Sequence, residues 1–281
     1  MLGNFVIGLR EGLEAALIVS ILFTYLVRTD RMHLKRYVGY GVGAAVAVSV
    51  LIATALQQMS TSLSEKVEPV FAGTVSIMAV AFVTWMIFWM KRSARSISGD
   101  LRARLDSAAS GGAMAVTAMA FFAVVREGAE TAVFFWAAAH ASQDVTSSLL
   151  GLCLGIALSV GLGIAFFKSA IRLNLTSFFK STGILLAVVA AGVLTYAIHE
   201  FQEIGWLPGE EAIWLNLTSV LPDGSILSTV MAGLFNVTAT TSALQVVAWV
   251  AYVVVVLALF LRPAPAVVEK QTTPTQEPAP L

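Results

Sequence analysis

Long apolar runs separated by short polar connections dominate the chain. A helix needs about 20 apolar residues to cross the roughly 30 Å hydrocarbon core of a bilayer. The sequence predicts such helices at 4–27, 37–58, 70–90, 112–138, 147–167, 181–204 and 244–261. The expected fold is therefore an all-α polytopic membrane protein with seven transmembrane helices.

The composition agrees with a membrane protein. Hydrophobic residues make up 58% and charged residues 12% of the 281 positions, whereas soluble domains have about 45–50% and about 25%. This excludes a soluble globular enzyme and a disordered chain, and the zero net charge lacks the basic excess of a nucleic-acid binder. A single cysteine, Cys153, excludes a disulfide framework. Residues 263–281, rich in Pro, Thr and Gln, are expected to form a disordered cytoplasmic tail.

Basic residues fall almost entirely in alternate connections, which indicates the orientation. The first, third and fifth connections and the tail hold Arg28, Arg31, Lys35, Arg36, Lys91, Arg92, Arg95, Arg102, Arg104, Lys168, Arg172, Lys180, Arg262 and Lys270. The other connections hold only Lys66. Because Lys and Arg accumulate on the cytoplasmic side, we expect the N-terminus outside and the C-terminus in the cytoplasm. The acidic residues lie mostly on the outer side, as a solvated surface or as a mouth that concentrates cations.

A charged motif occurs twice. Residues 10–16 read Arg-Glu-Gly-Leu-Glu-Ala-Ala, and residues 126–132 read Arg-Glu-Gly-Ala-Glu-Thr-Ala. Weaker matches follow at a similar offset, so repeat one (1–92) and repeat two (112–204) are interpreted as copies of one three-helix unit, with the helix at 244–261 added. Because three is odd, the copies have opposite orientations, which is the inverted-repeat pattern of many secondary transporters.

Four glutamates inside the predicted spans are the candidate metal ligands. They are Glu11, Glu14, Glu127 and Glu130. Each pair is three residues apart and shares a helix face, and the opposite orientations place both pairs at about the same depth. A charge at membrane depth costs at least about 2.5–3.5 kcal/mol on insertion scales, which a bound ion would offset. Carboxylates are ligands for hard cations such as Mg²⁺, Ca²⁺, Mn²⁺ and iron.

Two arginines and two glycines complete the motifs. Arg10 and Arg126 each precede a glutamate by four residues and are expected to pair with it and offset its charge. Such pairing is the purely structural interpretation, but it neutralises only two of the four acids. Gly12 and Gly128, each followed by alanine four residues later, present small surfaces that let the helices approach closely.

A second polar segment lies at the outer end of the sixth predicted span. Glu200 and Glu203 repeat the three-residue spacing, and His199 precedes them. The segment is either an ion-entry or hand-off site or a polar helix end at the membrane interface, and both interpretations stay open. The outer loop that follows, residues 205–243, is expected to be amphipathic and interfacial.

The doubled motif resembles that of a known family. Residues 10–14 and 126–130 resemble the paired Arg-Glu-Gly-Leu-Glu motifs of the oxidase-dependent iron transporter family, which includes fungal high-affinity iron permeases and bacterial EfeU-type iron permeases. Ala129 stands where the family usually has leucine, at a position expected to point away from the glutamates. The resemblance implies a seven-helix permease domain over 1–262 that imports ferrous or ferric iron across the plasma (inner) membrane. It also implies that the four motif glutamates bind iron, with no enzymatic activity and no permanently bound cofactor.

The resemblance implies partners, and alternatives remain. Bacterial members resemble one component of a system with a periplasmic cupredoxin-like protein and a haem peroxidase, for which the outer surface is the natural docking side. One alternative is a permease for another hard divalent cation such as manganese, since the same ligands suit it. The other is a membrane electron-transfer subunit, which would need paired axial histidines within the spans or a cysteine pair. The sequence supplies neither.

Overall fold

The part of the chain that the structure describes consists mainly of seven α-helices. The structure, a computed structural model, describes residues 1–64, 66–93, 111–142, 144–168, 175–209, 213–216 and 240–262. The helices are α1 (Leu2–Arg28), α2 (Lys35–Ser62), α3 (Glu68–Ser93), α4 (Gly112–Ser142), α5 (Val145–Phe167), α6 (Leu175–Glu203) and α7 (Ala243–Leu261). A 3₁₀ turn, Met32–Leu34, precedes α2, and two short antiparallel strands, β1 (Ile213–Asn216) and β2 (Thr240–Ser242), precede α7.

Each of the seven predicted stretches contains a helix. By length and composition, α2 to α7 are the six helices in the described part of the chain that are suited to cross a membrane. Helix α1 has 27 residues, but Arg10, Glu11 and Glu14 interrupt its apolar run. The predicted tail, 263–281, and most of the predicted outer loop lie outside the described residues.

The first three helices exchange packing partners with the next three, so that each helix packs mainly against one from the other group. Helix α1 packs mainly against α5, α2 mainly against α4, and α3 mainly against α6. The two helices that carry the charged motif, α1 and α4, also pack against each other. Consecutive helices of one group touch far less, and α7 packs mainly on α6. The centre of the protein is therefore built from both groups together.

Two apolar clusters surround the motif helices. The larger one joins α1, α3, α4 and α6 through side chains such as Leu13, Met86 and Leu186, all almost fully buried. The smaller one joins α1, α2 and α4 beyond the motif, around Leu22 and Val38. On the outer faces, the exposed side chains of α2, α5 and α7 are largely apolar, as a lipid-facing surface requires.

Side-chain hydrogen bonds cap or link the ends of α3, α5 and α7. The Asp144 carboxylate accepts a 3.0 Å hydrogen bond from the Ser147 backbone N–H at the start of α5, and this bonding to Ser147 lowers the pKa of Asp144. At α7, Ser242 and Gln245 form a reciprocal capping box. Lys91, near the end of α3, donates to two carbonyl groups at the end of α7. These contacts fix where the helices begin and end relative to one another.

Candidate metal site

Matched glycine and serine residues set the spacing of the motif helices. Gly12 on α1 faces Ser159 on α5, and Gly128 on α4 faces Ser49 on α2. At either glycine an added Cβ would collide with the serine hydroxyl oxygen. Each serine donates its hydroxyl proton to a carbonyl of its own helix. Both motif helices can thus approach their partners only because the motif contains glycine at this position.

Three of the four candidate glutamates meet between α1 and α4. Glu11, Glu14 and Glu127 each offer a carboxylate oxygen, and these three oxygens lie within 4.8 Å of one another. Of the described residues, they form the one such group of three or more His, Cys, Asp or Glu side chains. An ion between three oxygens at this spacing lies no more than about 2.8 Å from each, against about 2.0–2.6 Å in Mg²⁺ and Ca²⁺ sites. Small side-chain movements therefore suffice for coordination.

Several carboxylate oxygens at this point have no hydrogen bond. Within the described part of the chain, both oxygens of Glu11 and one oxygen each of Glu127 and Glu130 are buried without a hydrogen-bond partner. Buried polar atoms are normally paired, and an unpaired buried carboxylate is strongly unfavourable. Unpaired oxygens of this kind are expected where a cation binds, because the cation is the partner that hydrogen bonds do not supply.

The two arginines occupy different surroundings. Arg10 is 1% exposed, and its Nε donates to Glu14 at 3.2 Å and lies 3.9 Å from Glu11. The Arg126 side chain is 40% exposed, and its Nε donates to Glu130 at 2.9 Å. Equivalent motif positions thus make the equivalent i to i+4 ion pair, but only the first pair is enclosed.

Glu130 lies apart from the group of three. Its side chain is 18% exposed and is engaged with Arg126. It still lies within electrostatic range of Glu11, Glu14 and Glu127. The structure therefore brings three of the candidate ligands together and places the fourth beside them.

The second predicted segment is arranged less compactly. Glu200 is buried and accepts a hydrogen bond from Tyr196, whereas His199 and Glu203 are exposed. Glu68, at the start of α3, lies within electrostatic range of Glu200. Both interpretations of the segment, an ion-entry or hand-off site and a polar helix end, stay predictions.

The sequence indicated only packing or membrane-interface roles for Trp85 and Trp89, whereas the structure places both rings next to the second motif. The Arg126 guanidinium lies over the Trp89 ring, 4.7 Å from its centroid, and 5.9 Å from the centroid of Trp85. The two indole rings stack at 6.3 Å. The signal available in the sequence was their four-residue spacing on α3, which places both rings on one face of the helix.

Almost the whole chain matches the pattern of a known protein family. The pattern of the Iron permease FTR1 family matches residues 1–273 of the chain. The chain belongs to this family. The FTR1 assignment confirms the resemblance seen in the doubled motif, and its members are permeases, which transport rather than catalyse.

Individual FTR1 relatives are similar over almost the whole chain. The ferrous iron permease EfeU of Escherichia coli O157:H7 is 37% identical over 262 residues, which cover 92% of this chain and 95% of the relative. The ferrous iron permease EfeU of Yersinia pestis is 34% identical over 262 residues, covering 92% and 93%. No solved structure matches the chain. Family membership and the apolar helices fit a multi-pass protein of the bacterial inner membrane.

Proposed function

We propose that the protein imports ferrous iron across the bacterial inner membrane through a site formed by the four motif glutamates. The observation that carries the proposal is the buried meeting point of Glu11, Glu14 and Glu127, with carboxylate oxygens that lack partners. Carboxylate oxygens suit a hard divalent cation. The family supports iron as the substrate, and the names of its relatives support the ferrous form.

Glu130 is the proposed fourth ligand. It occupies in α4 the motif position that Glu14 occupies in α1, and one of its oxygens is buried without a hydrogen bond. If all are ionised, four carboxylates and the two motif arginines leave two negative charges, which one Fe²⁺ ion neutralises. The arginines thus reduce the repulsion among the carboxylates without removing the attraction for a divalent ion.

We also propose that α1 spans the membrane, which gives seven spans arranged as an inverted repeat of 3+3 helices plus α7. The exchange of partners between the two groups of three helices supports this arrangement. So do the matched contacts of Gly12 with Ser159 and of Gly128 with Ser49. Iron then enters from the outer side and leaves toward the cytoplasm through the interface between the repeats. A periplasmic cupredoxin-like protein and a haem peroxidase stay predicted partners.

Uptake of radioactive iron by cells that depend on this protein tests the proposal. Glu14→Gln and Glu130→Gln keep the size of the side chain and remove its charge. We expect each to reduce uptake by more than about tenfold, since changes to mere outer-shell partners already cost about 10- to 100-fold in metal sites. Asp30→Asn is the matched control, because Asp30 is an exposed carboxylate outside the helices with φ 55°, which Asn also adopts.

The result depends on equal amounts of each variant in the membrane, measured by immunoblotting. Normal uptake by both glutamine variants would refute the four-glutamate site. An excess of Mn²⁺ in the uptake assay tests whether the protein prefers iron, because carboxylate ligands suit both cations equally. We expect little competition with iron, and complete competition would identify a general permease for hard divalent cations instead.

A further inference from the structure

We propose that Trp89, assisted by Trp85, is a positioning residue for iron binding, because its indole ring holds the Arg126 guanidinium when Glu130 turns to the ion. This inference rests on the proposed function. It concerns the one motif glutamate that stands outside the group of three, and it gives a task to two aromatic side chains that belong to neither motif.

Arg126 lies between a carboxylate and two aromatic rings. Its Nε is 2.9 Å from Glu130 Oε1, and its Cζ is 4.7 Å from the Trp89 centroid. Trp85 lies farther away, at 5.9 Å, and stacks on Trp89. A cation within about 6 Å of an indole face is attracted by the ring quadrupole, and Trp is the strongest of the aromatic residues in this respect.

The need for such a support is specific to the second motif. Glu14 belongs to the group of three while keeping its ion pair with Arg10. Glu130 is held by Arg126 and stands outside that group. In the proposed binding step the Glu130 carboxylate moves towards the other three glutamates and away from Arg126.

The rings act differently on the two arrangements. While Glu130 contacts Arg126, the carboxylate neutralises much of the charge that the rings attract. Once Glu130 has turned to the ion, the indoles are the remaining close contacts described for the guanidinium, so their attraction contributes more. Only such a difference between the two arrangements changes the affinity for the ion. Trp89 thus lowers the cost of recruiting the fourth ligand.

The surroundings of the rings allow a clean substitution. Trp85 and Trp89 line a cleft of about 710 Å³ between α3 and α7, and Trp85 is 55% exposed. At the same level, Thr84 and Tyr252 join α3 to α7 by a hydrogen bond of 2.7 Å. Trimming an indole therefore enlarges an existing cleft and leaves this link between the helices intact.

Kinetics of iron uptake test the inference. We expect Trp89→Leu to raise the KM for Fe²⁺ by about 2- to 10-fold, with a nearly unchanged maximal rate per molecule, since cation–π contacts of this kind have that strength. Trp89→Phe keeps an aromatic face and should recover at least half of the effect on a logarithmic scale. Trp85→Leu should give a smaller rise, because this ring is farther from the guanidinium.

Trp206→Leu is the matched control. Trp206 is exposed and stacks on Phe201, which faces Gly73 near the start of α3, whereas Trp89 lies near the end of that helix. We expect the KM of this variant to stay at the wild-type value.

Three outcomes would overturn the inference. They are an unchanged KM in Trp89→Leu, an equal rise in the Leu and Phe variants, and a larger effect of Trp85 than of Trp89. If Trp89→Leu does not accumulate in the membrane, Trp89→Phe and Trp85→Leu test the inference in its place. Each should raise the KM for Fe²⁺ slightly, and wild-type KM values in both would reject the inference. Loss of uptake in Glu14→Gln and Glu130→Gln with unaltered tryptophan variants would reject this inference alone. Normal uptake in both glutamine variants would reject the proposed function.

Discussion

The contact between Gly12 and Ser159 predicts the effect of one added methyl group. In Gly12→Ala the new Cβ would overlap the Ser159 hydroxyl oxygen and lie 3.1 Å from Ser159 Cβ and 3.4 Å from Ile156 Cα. Overpacking of this kind costs about 1–3 kcal/mol. Alanine in place of glycine within a helix gains about 1 kcal/mol. The net expectation is a loss of up to about 2 kcal/mol in the free energy of unfolding, from the difference of these two effects.

Thermal unfolding of the purified protein in detergent measures this loss. The double variant Gly12→Ala with Ser159→Ala removes the overlapping oxygen and should regain more than half of the stability. Gly43→Ala is the control, because among the described residues no atom lies within 4 Å of the Cβ it adds. It makes the same change in helix propensity and should be at least as stable as the wild type. If Gly12→Ala matches Gly43→Ala, or the double variant shows no recovery, the proposed close contact is wrong.

Three further predictions concern the ion pairs, the α3–α7 link and the orientation. Arg10→Gln should destabilise the protein by about 3–5 kcal/mol because it leaves buried carboxylates uncompensated. Arg126→Gln changes a half-exposed ion pair and should cost at most about 1 kcal/mol. Equal melting temperatures of the two variants would contradict this difference. Tyr252→Phe should cost about 0.5–1.5 kcal/mol in the same assay by removing the hydrogen bond to Thr84, and an unchanged melting temperature would show that the bond contributes nothing. Alkaline phosphatase, which is active only outside the cytoplasm, should be active when fused to the N-terminus and inactive when fused to the C-terminus, and the reverse result would invert the proposed orientation.

The helical segments and the ion pair within the first motif could be predicted from the sequence, because both depend on residues that are close together along the chain. Apolar runs of about 20 residues determine the helical segments, and the spacing of Arg10 and Glu14 determines their ion pair within one helix. The meeting of Glu11 with Glu127 was also expected, because the sequence predicts opposite orientations for the two motif helices. These inferences required only the period of the helix and the order of the spans.

The different surroundings of the two motifs could not be predicted from the sequence. The motifs are nearly identical, yet Arg10 is enclosed and Arg126 is half exposed beside Trp89. Which helix covers a given face depends on tertiary packing, and helical period alone does not determine it. The separation of Glu130 from the other three glutamates, and the placement of the serines opposite the motif glycines, follow from the same packing.

The exchange of partners among the helices has a consequence for biogenesis. Neither α1 nor α2 finds its main packing surface until α4 and α5 have left the ribosome. The first three helices must therefore wait for their packing partners, and the side of α1 that carries Glu11 and Glu14 is not covered by α4 during that time. We expect a chain cut between α3 and α4 to yield two fragments that are short-lived when made alone and protect each other from proteolysis when made together.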